Sequence, residues 1–226
     1  MTVSAVIPLR FVDCCLADGD PRMVLSGQPL WQITLRQALE SKRLDSVIVA
    51  YDDDKLVPVL SEWAGQIQLC QRPPHLSDAG VTTLDVMAHV AGTLSDEAPP
   101  DNLMLLEITH PLRPKGIIDQ MVEAVDGLDV DSLITCHRVN YNFWRQDEAG
   151  AASRIRGAEG GGKTSLYQEL VGICSLFKTI NLNTETPFGD IVDIVPIDKF
   201  WATIDVRDED GLWLAEQYLE RSGVTL

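Results

Sequence analysis

The apolar residues of this chain fall into short runs separated by longer stretches in which they recur at helical spacing. Val3 to Leu9, Ser46 to Tyr51, Ile67 to Cys70, Leu103 to Leu106 and Asp131 to Cys136 each read as a strand. Gln28 to Lys42, Thr82 to Leu94 and Ile117 to Val125 have helical spacing. The acidic turn Asp52-Asp53-Asp54 can cap a next, short helix to about Ala64, since a carboxylate suits the start of a helix. Continuous apolar runs belong to strands covered on both faces. The repeated alternation of strand and helix predicts an α/β fold with a parallel sheet, helices on both faces and right-handed crossovers.

The rhythm fails after Cys136. Tyr141 to Trp144 is aromatic, and Asp147 to Lys163 is polar and Gly-rich. Val171 to Phe177, Ile191 to Pro196 and Ala202 to Val206 predict further strands, and Asp208 to Arg221 a closing helix. This region is expected to be an antiparallel excursion, an arm suited to meeting a partner, before the chain rejoins the main sheet.

The stretch NLMLLEITHPLR, Asn102 to Arg113, organises the rest. Its apolar run ends abruptly in Glu107, Thr109, His110 and Arg113. Those residues would stand at the carboxyl edge of a parallel strand, where open sheets bind ligands. Arg10 follows the first strand at that edge and Arg72 the third. A planar guanidinium suits a phosphate or carboxylate, and a plain surface Arg is the competing reading. Thr82 and Thr83 lie near a helix start, where a hydroxyl caps the helix or meets a ligand. Asp205, at the end of the expected last strand, is placed to hold a divalent cation beside phosphates. Asp208, Glu209 and Asp210 read as first-turn helix acids. His110 is the one histidine beside the strand edge; His75, His89 and His137 form no ligand pattern.

Composition narrows the classes. The net charge of −16 argues against a nucleic-acid partner, which needs a basic face. An anionic small substrate would need clustered Arg and Lys or a divalent cation. No run approaches the roughly 18 apolar residues of a membrane span. MTVSAVIPLR lacks the basic and long apolar regions of a signal peptide, so a cytoplasmic protein is expected. The 5 Cys (14, 15, 70, 136 and 174) contain no CxxC pair and suggest neither a disulfide framework nor a zinc site. Cys70, Cys136 and Cys174 read as core residues. Gly157 to Thr164, GAEGGGKT, fits G-x-x-x-x-G-K-[ST], but the preceding EAGAASRIR is no buried strand, so a Gly-rich loop is the better reading.

Together these stretches resemble the acylneuraminate cytidylyltransferase (CMP-sialic acid synthetase-like) family, which activates acidic sugars. IPLR stands where that family has IPAR, and LLEITHPLR where it has LLQPTSPLR. GQPLWQITLRQALESKRLDSVIVAYDD is similar to its GKPL…ALESK.FD.VIVSTDD stretch. RPPHLSDAGVTTLDVMAHV is similar to its RP..L..D…T.DV..H segment, LYQELVGICSLFK to Y..NGAIY..K, and PIDKFWATIDVRDEDGLWLAE to its closing DIDT..D…AE.

The resemblance covers nearly the whole chain in order and spacing. It implies a single domain over 1–226 with a Rossmann-like three-layer nucleotidyltransferase fold and a mostly parallel sheet. A small antiparallel dimerisation arm would lie at about 138–190. It also implies a homodimer, Mg²⁺, and a reaction of CTP with a 2-keto-3-deoxy sugar acid that gives the CMP-sugar and pyrophosphate. By position, Arg10 would face the CTP phosphates and take part in catalysis. Arg22, Arg72, Thr82 and Thr83 would complete the nucleotide pocket. Glu107, His110, Arg113 and Tyr167 would meet the sugar, Tyr167 from the arm. Asp205 would be catalytic and hold the metal together with Glu107. There are departures: the loop FVDCCLADGDPRMVLS lacks the family's phosphate-binding Lys and base-reading Asn, which leaves Arg22 as the nearby cation. Thr203, Glu107, His110 and Val171 stand where the family has Asp, Gln, Ser and Asn. A relative that binds a nucleotide or a partner without turnover is the alternative.

Overall fold

Alternate residues of the first strand face opposite ways, and this sorts the molecule into layers. The computed structural model describes residues 1–13, 24–78, 80–94, 99–140, 143–155, 165–224 and 226. The elements run β1 (Val3–Leu9), β2 (Val24–Leu25), β3 (Gln28–Pro29), α1 (Leu30–Leu39), β4 (Ser46–Tyr51), α2 (Leu56–Leu60), β5 (Gln68–Gln71), α3 (Thr83–Leu94) and β6 (Asn102–Leu105). They continue with α4 (Ile117–Val125), β7 (Ser132–Val139), β8 (Phe143–Gln146), β9 (Ala152–Ile155), β10 (Leu166–Glu169), α5 (Val171–Cys174), β11 (Ser175–Lys178), β12 (Val192–Pro196) and α6 (Glu209–Ser222).

Strands β5, β4, β1 and β6 lie side by side and all run parallel, with Val6 opposite both Ile48 and Leu105. Val3, Ala5, Ile7 and Leu9 point into a core shared with α1, α4 and α6, whereas Val6, Ile48 and Leu105 point into a second core under α3. The predicted sheet with helices on both faces is therefore present. All four residues of β6 are buried. Each large apolar side chain buried in this way contributes roughly 1.5–3 kcal/mol.

Beyond β6 the sheet turns mixed. β11 runs antiparallel between β6 and β7. The carbonyls of Asp131 and Thr135 accept from Lys178 and Leu170, while that of Cys136 accepts from Ile197. Neighbouring carbonyls point to opposite sides of a strand, so β10 and β11 share one side of β7, and β12 pairs in parallel on the other. Glu169 faces Cys136 and Leu176 faces Leu133; the returning chain thus uses four extra residues over that span (176 − 169 = 7 against 136 − 133 = 3). The four residues of α5 take up this excess. β8 and β9 form a separate antiparallel hairpin, every residue of it exposed.

Three expected elements differ. Val171 to Phe177 is not one strand: its first half coils into α5. Ala202 to Val206 forms no ladder. Phe200–Thr203 is a 3-10 turn, and Ala202, Ile204 and Val206 satisfy their apolar character by packing into the core beside α6. Gln28 and Pro29 pair with β2 around a turn in which Ser26 and Gly27 have φ of 51° and 77°, so the helix begins at Leu30. Among the described residues no helix is long and apolar enough to cross a membrane.

The Asp131 carboxylate ties β12 to the start of β7, accepting from Lys178 Nζ at 2.9 Å, Asp190 N at 2.9 Å and Ile191 N at 3.0 Å. The Lys178 hydrogen bond and then the two backbone donors pull its pKa down to about 2. A carboxylate depressed below its ordinary value of about 3.9 stabilises the fold above that pH, and the stabilisation is lost as pH falls through the folded-state value. Asp131→Asn is expected to flatten the pH dependence of the urea midpoint between roughly pH 4 and pH 2. An unchanged slope would show that Asp131 is not the group responsible.

Candidate active site

The segments that follow β1, β5 and β6 meet at one rim of the sheet and enclose a cleft. Its walls include Arg10 after β1, Arg72 after β5, Thr82 and Thr83 at the start of α3, Glu107 after β6, and Arg207. In a chain of net charge −16, three guanidinium groups share one depression.

Acids hold these arginines in place. Arg10 donates to both oxygens of Asp13, Nε to Oδ2 at 2.7 Å and Nη2 to Oδ1 at 3.1 Å. Asp52 stands 3.8 Å from Arg72 Nη2 and accepts from Phe11 N at 2.8 Å and Ser77 Oγ at 3.1 Å. Asp52 is thus a post of the rim rather than a helix cap. Arg72 is 4% exposed, and its Nε has no hydrogen-bond partner among the described residues. Burial lowers its pKa, and the charge of Asp52 opposes that shift. A donor left unfilled on a buried guanidinium is costly, and a bound anion is the kind of group that satisfies it. Thr82 acts as a cap: it accepts from Asp85 N at 3.2 Å, and its N–H donates to Asp85 Oδ2 at 2.7 Å.

On the other wall, Glu107 is 7% exposed and its N–H donates to Gly172 O at 2.9 Å. Val206 N–H donates to Thr109 O at 2.8 Å, which docks the segment before α6 onto this turn. Arg207 then reaches both nearby acids, with Nη2 2.7 Å from Glu107 Oε2 and Nε 2.5 Å from Asp205 Oδ2. Asp205 itself does not line the cleft, and its buried Oδ1 has no hydrogen-bond partner among the described residues. A side chain at Gly172 would place Cβ 2.7 Å from Glu107 Oε2, and one at Gly211 would place it 2.2 Å from Asp205 O. Both contacts require glycine as the structure stands. The expected Mg²⁺ pair, Glu107 and Asp205, is spanned by a protein cation. With Arg207 in this position the side chains do not fit a divalent ion between the two acids.

A cytidylyltransferase family model matches residues 22–152. The chain belongs to the cytidylyltransferase family. It is 30% identical over 133 residues to the 3-deoxy-manno-octulosonate cytidylyltransferase of Pelobacter propionicus, covering 59% of this chain and 47% of that protein. It is 28% identical over 170 residues to the N-acylneuraminate cytidylyltransferase of Streptococcus agalactiae, covering 73% of this chain and 40% of that one. The chain therefore spans about half or less of the length of these relatives. Among solved structures, CMP:2-keto-3-deoxy-manno-octonic acid synthetase complexed with CTP superposes with a TM-score of 0.70 at 12% identity, covering 98% of this chain and 100% of that one. The 4-diphosphocytidyl-2C-methyl-D-erythritol synthase of Anaerococcus prevotii gives 0.69 at 14% identity, covering 97% and 99%. At these identities the two structures speak for the fold alone.

Of the residues singled out in the sequence, the structure of this family member gathers Arg10, Arg72, Thr82, Thr83 and Glu107 in one cleft. Others lie elsewhere. Arg113 is not at the surface of the cleft but beneath it. It is 8% exposed and donates to Ile173 O, Gly172 O, Glu107 O, Thr34 Oγ1 and Gln37 Oε1. Its pKa is pushed down to about 10 by burial, so it remains charged at neutral pH. A guanidinium with these obligations is a strut, not a sugar contact. His110 is 7% exposed and sits behind Glu107, with Nδ1 3.2 Å from Thr109 Oγ1. Burial lowers its pKa to about 4, which leaves it neutral. Tyr167 lies on β10, opposite Arg138, and is not part of the cleft. Arg22 and the Gly157–Thr164 loop lie outside the described residues. The segment before that loop is the exposed strand β9, not a buried one. Reading the sequence missed Asp52 as a rim residue and missed Arg207 entirely. An Arg two residues after an Asp carried no signal until the 107–110 turn was placed beside it.

Replacing Arg113 by Met removes the donor from several buried acceptors at once. Urea unfolding is expected to show a loss of about 3–5 kcal/mol, and a loss below about 1 kcal/mol would mean the strut is dispensable. Gly211→Ala forces a methyl group against the Asp205 carbonyl and is expected to cost about 1–3 kcal/mol in the same measurement.

Proposed function

We propose that this chain transfers CMP from CTP to an acidic 2-keto-3-deoxy sugar, releasing pyrophosphate. The observation that carries the proposal is the convergence of Arg10 and Arg72, from strands far apart in sequence, at the carboxyl rim of a parallel sheet. The names of the relatives, which activate 3-deoxy-manno-octulosonate or N-acylneuraminate, favour a sugar acid as acceptor.

In this reading the triphosphate lies along Arg10 and Arg72, at the N-terminal end of α3, where backbone N–H groups and the helix dipole also favour negative charge. The anomeric hydroxyl of the sugar attacks the α-phosphorus and pyrophosphate leaves. Charge grows on the phosphate oxygens, and fixed guanidinium groups stabilise it without reorganising. The rim supplies the in-line geometry. Glu107 faces the sugar side of the cleft. The exposed β8–β9 hairpin, with Trp144 at 65% exposed, and Tyr167 on β10 would then serve a second copy of the chain in a homodimer, closing its sugar site.

A thermal-shift screen of the four nucleoside triphosphates, each with and without Mg²⁺, tests the nucleotide half of the proposal. CTP is expected to raise the melting temperature most, because a ligand of the folded state alone stabilises by mass action. Arg72→Ala should weaken CTP binding by roughly 10- to 100-fold, the loss of one charge-assisted contact. Pyrophosphate release with CTP and a panel of octulosonates and nonulosonates tests the transfer. CTP binding without release from any of them would favour the alternative, a nucleotide-binding relative that does not turn over, which the loop lacking the family's Lys and Asn motivates.

A further inference from the structure

We propose that Arg207 is the resident cation of the Glu107–Asp205 pair and keeps a divalent metal from binding between these acids. Each nitrogen of the guanidinium that faces the pair serves a different carboxylate: Nε meets Asp205 Oδ2 at 2.5 Å and Nη2 meets Glu107 Oε2 at 2.7 Å. A divalent ion bridging the two acids would compete with the guanidinium for these carboxylates, the kind of oxygen ligand a hard cation seeks.

The seat is built from three directions. Val206 N–H is pinned to Thr109 O at 2.8 Å, which fixes the backbone just before Arg207. The Asp208 carboxylate caps α6 through Gly211 N at 2.8 Å and fixes the backbone just after it. Gly172 closes over Glu107 and leaves its carboxylate no room to swing towards α5. Glu107 is 9% exposed in its side chain and Arg207 60%, so the acid is fixed and the cation stands at the open end, lining the cleft with Arg10 and Arg72. Burial alone would lower the Arg207 pKa, yet its bonds to Asp205 and the charge of Glu107 leave it raised. The arginine is held charged in a place where a neutral side chain would leave two acids facing each other. Its third nitrogen, Nη1, is engaged by neither acid and remains to meet an anion in the cleft.

The test is a Mn²⁺ titration of the whole chain with no nucleotide present, read by calorimetry and by water-proton relaxation. It is independent of turnover, so its failure and the failure of the cytidylyltransferase reading are distinguishable. The wild type is expected to bind Mn²⁺ weakly. Arg207→Ala uncovers two unneutralised carboxylates and should bind one Mn²⁺ at least about tenfold more tightly. Arg207→Gln, which keeps a hydrogen-bonding side chain but drops the charge, should move in the same direction. Adding Glu107→Gln to either variant should abolish the gain. Circular dichroism and melting temperature establish that each variant is folded. Equal Mn²⁺ affinity in the wild type and both folded variants, or tighter binding by the wild type, would overturn the proposal.

Discussion

A single buried guanidinium holds the working rim together. Arg113 lies behind the turn that follows β6 and donates to the carbonyls of Glu107, Gly172 and Ile173, and to side chains of α1. Three elements with no sequence proximity, the β6 rim, the α5 turn and α1, are fastened at one point. A charge can be buried only if its donors are filled, so the surrounding backbone has little choice of position. This is why Glu107 is fixed and why α5 interrupts the strand where it does. The extra turn brings the Gly172 and Ile173 carbonyls onto Arg113. It also brings the bare Cα of Gly172 against Glu107 and His110.

The cleft above this strut gathers basic groups within an acidic chain. Arg10 pairs with Asp13, Arg72 faces Asp52, and Arg207 spans Glu107 and Asp205. Each guanidinium is thus positioned before any ligand arrives. The pairs differ in depth. The Arg10 side chain is 50% exposed, and an ion pair that open to water is worth no more than about 1 kcal/mol, so a phosphate can compete with Asp13 for it. Arg72 is buried, and its Nε has no hydrogen-bond partner among the described residues.

Much of this was legible in the sequence because it depends on local periodicity. β1, β4 and α4 fall where the pattern places them, and the run ending at Glu107 marks the rim. The failures have physical causes. Val171 to Phe177 is apolar throughout, and a short apolar run does not distinguish a strand from a buried helical turn. Here the demands of Arg113 decide for the turn. Ala202 to Val206 alternates like a strand, but its apolar side chains are satisfied by the α6 core without a ladder. Arg113 and His110 stand at the expected edge but below its surface, since sequence gives a residue's position along a strand and not its depth. Arg207 and Asp52 act through partners 100 and 20 residues away, and no spacing rule reaches that far.

The central claim is that the arginine-lined rim cleft is where the nucleotide sits. A crystal structure of the chain with CTP tests it most directly. Triphosphate oxygens are expected within hydrogen-bonding distance, about 3 Å, of the Arg10 and Arg72 guanidinium groups. A nucleotide seated elsewhere, above all on the Gly157–Thr164 loop, with its phosphates far from those two arginines, would contradict it.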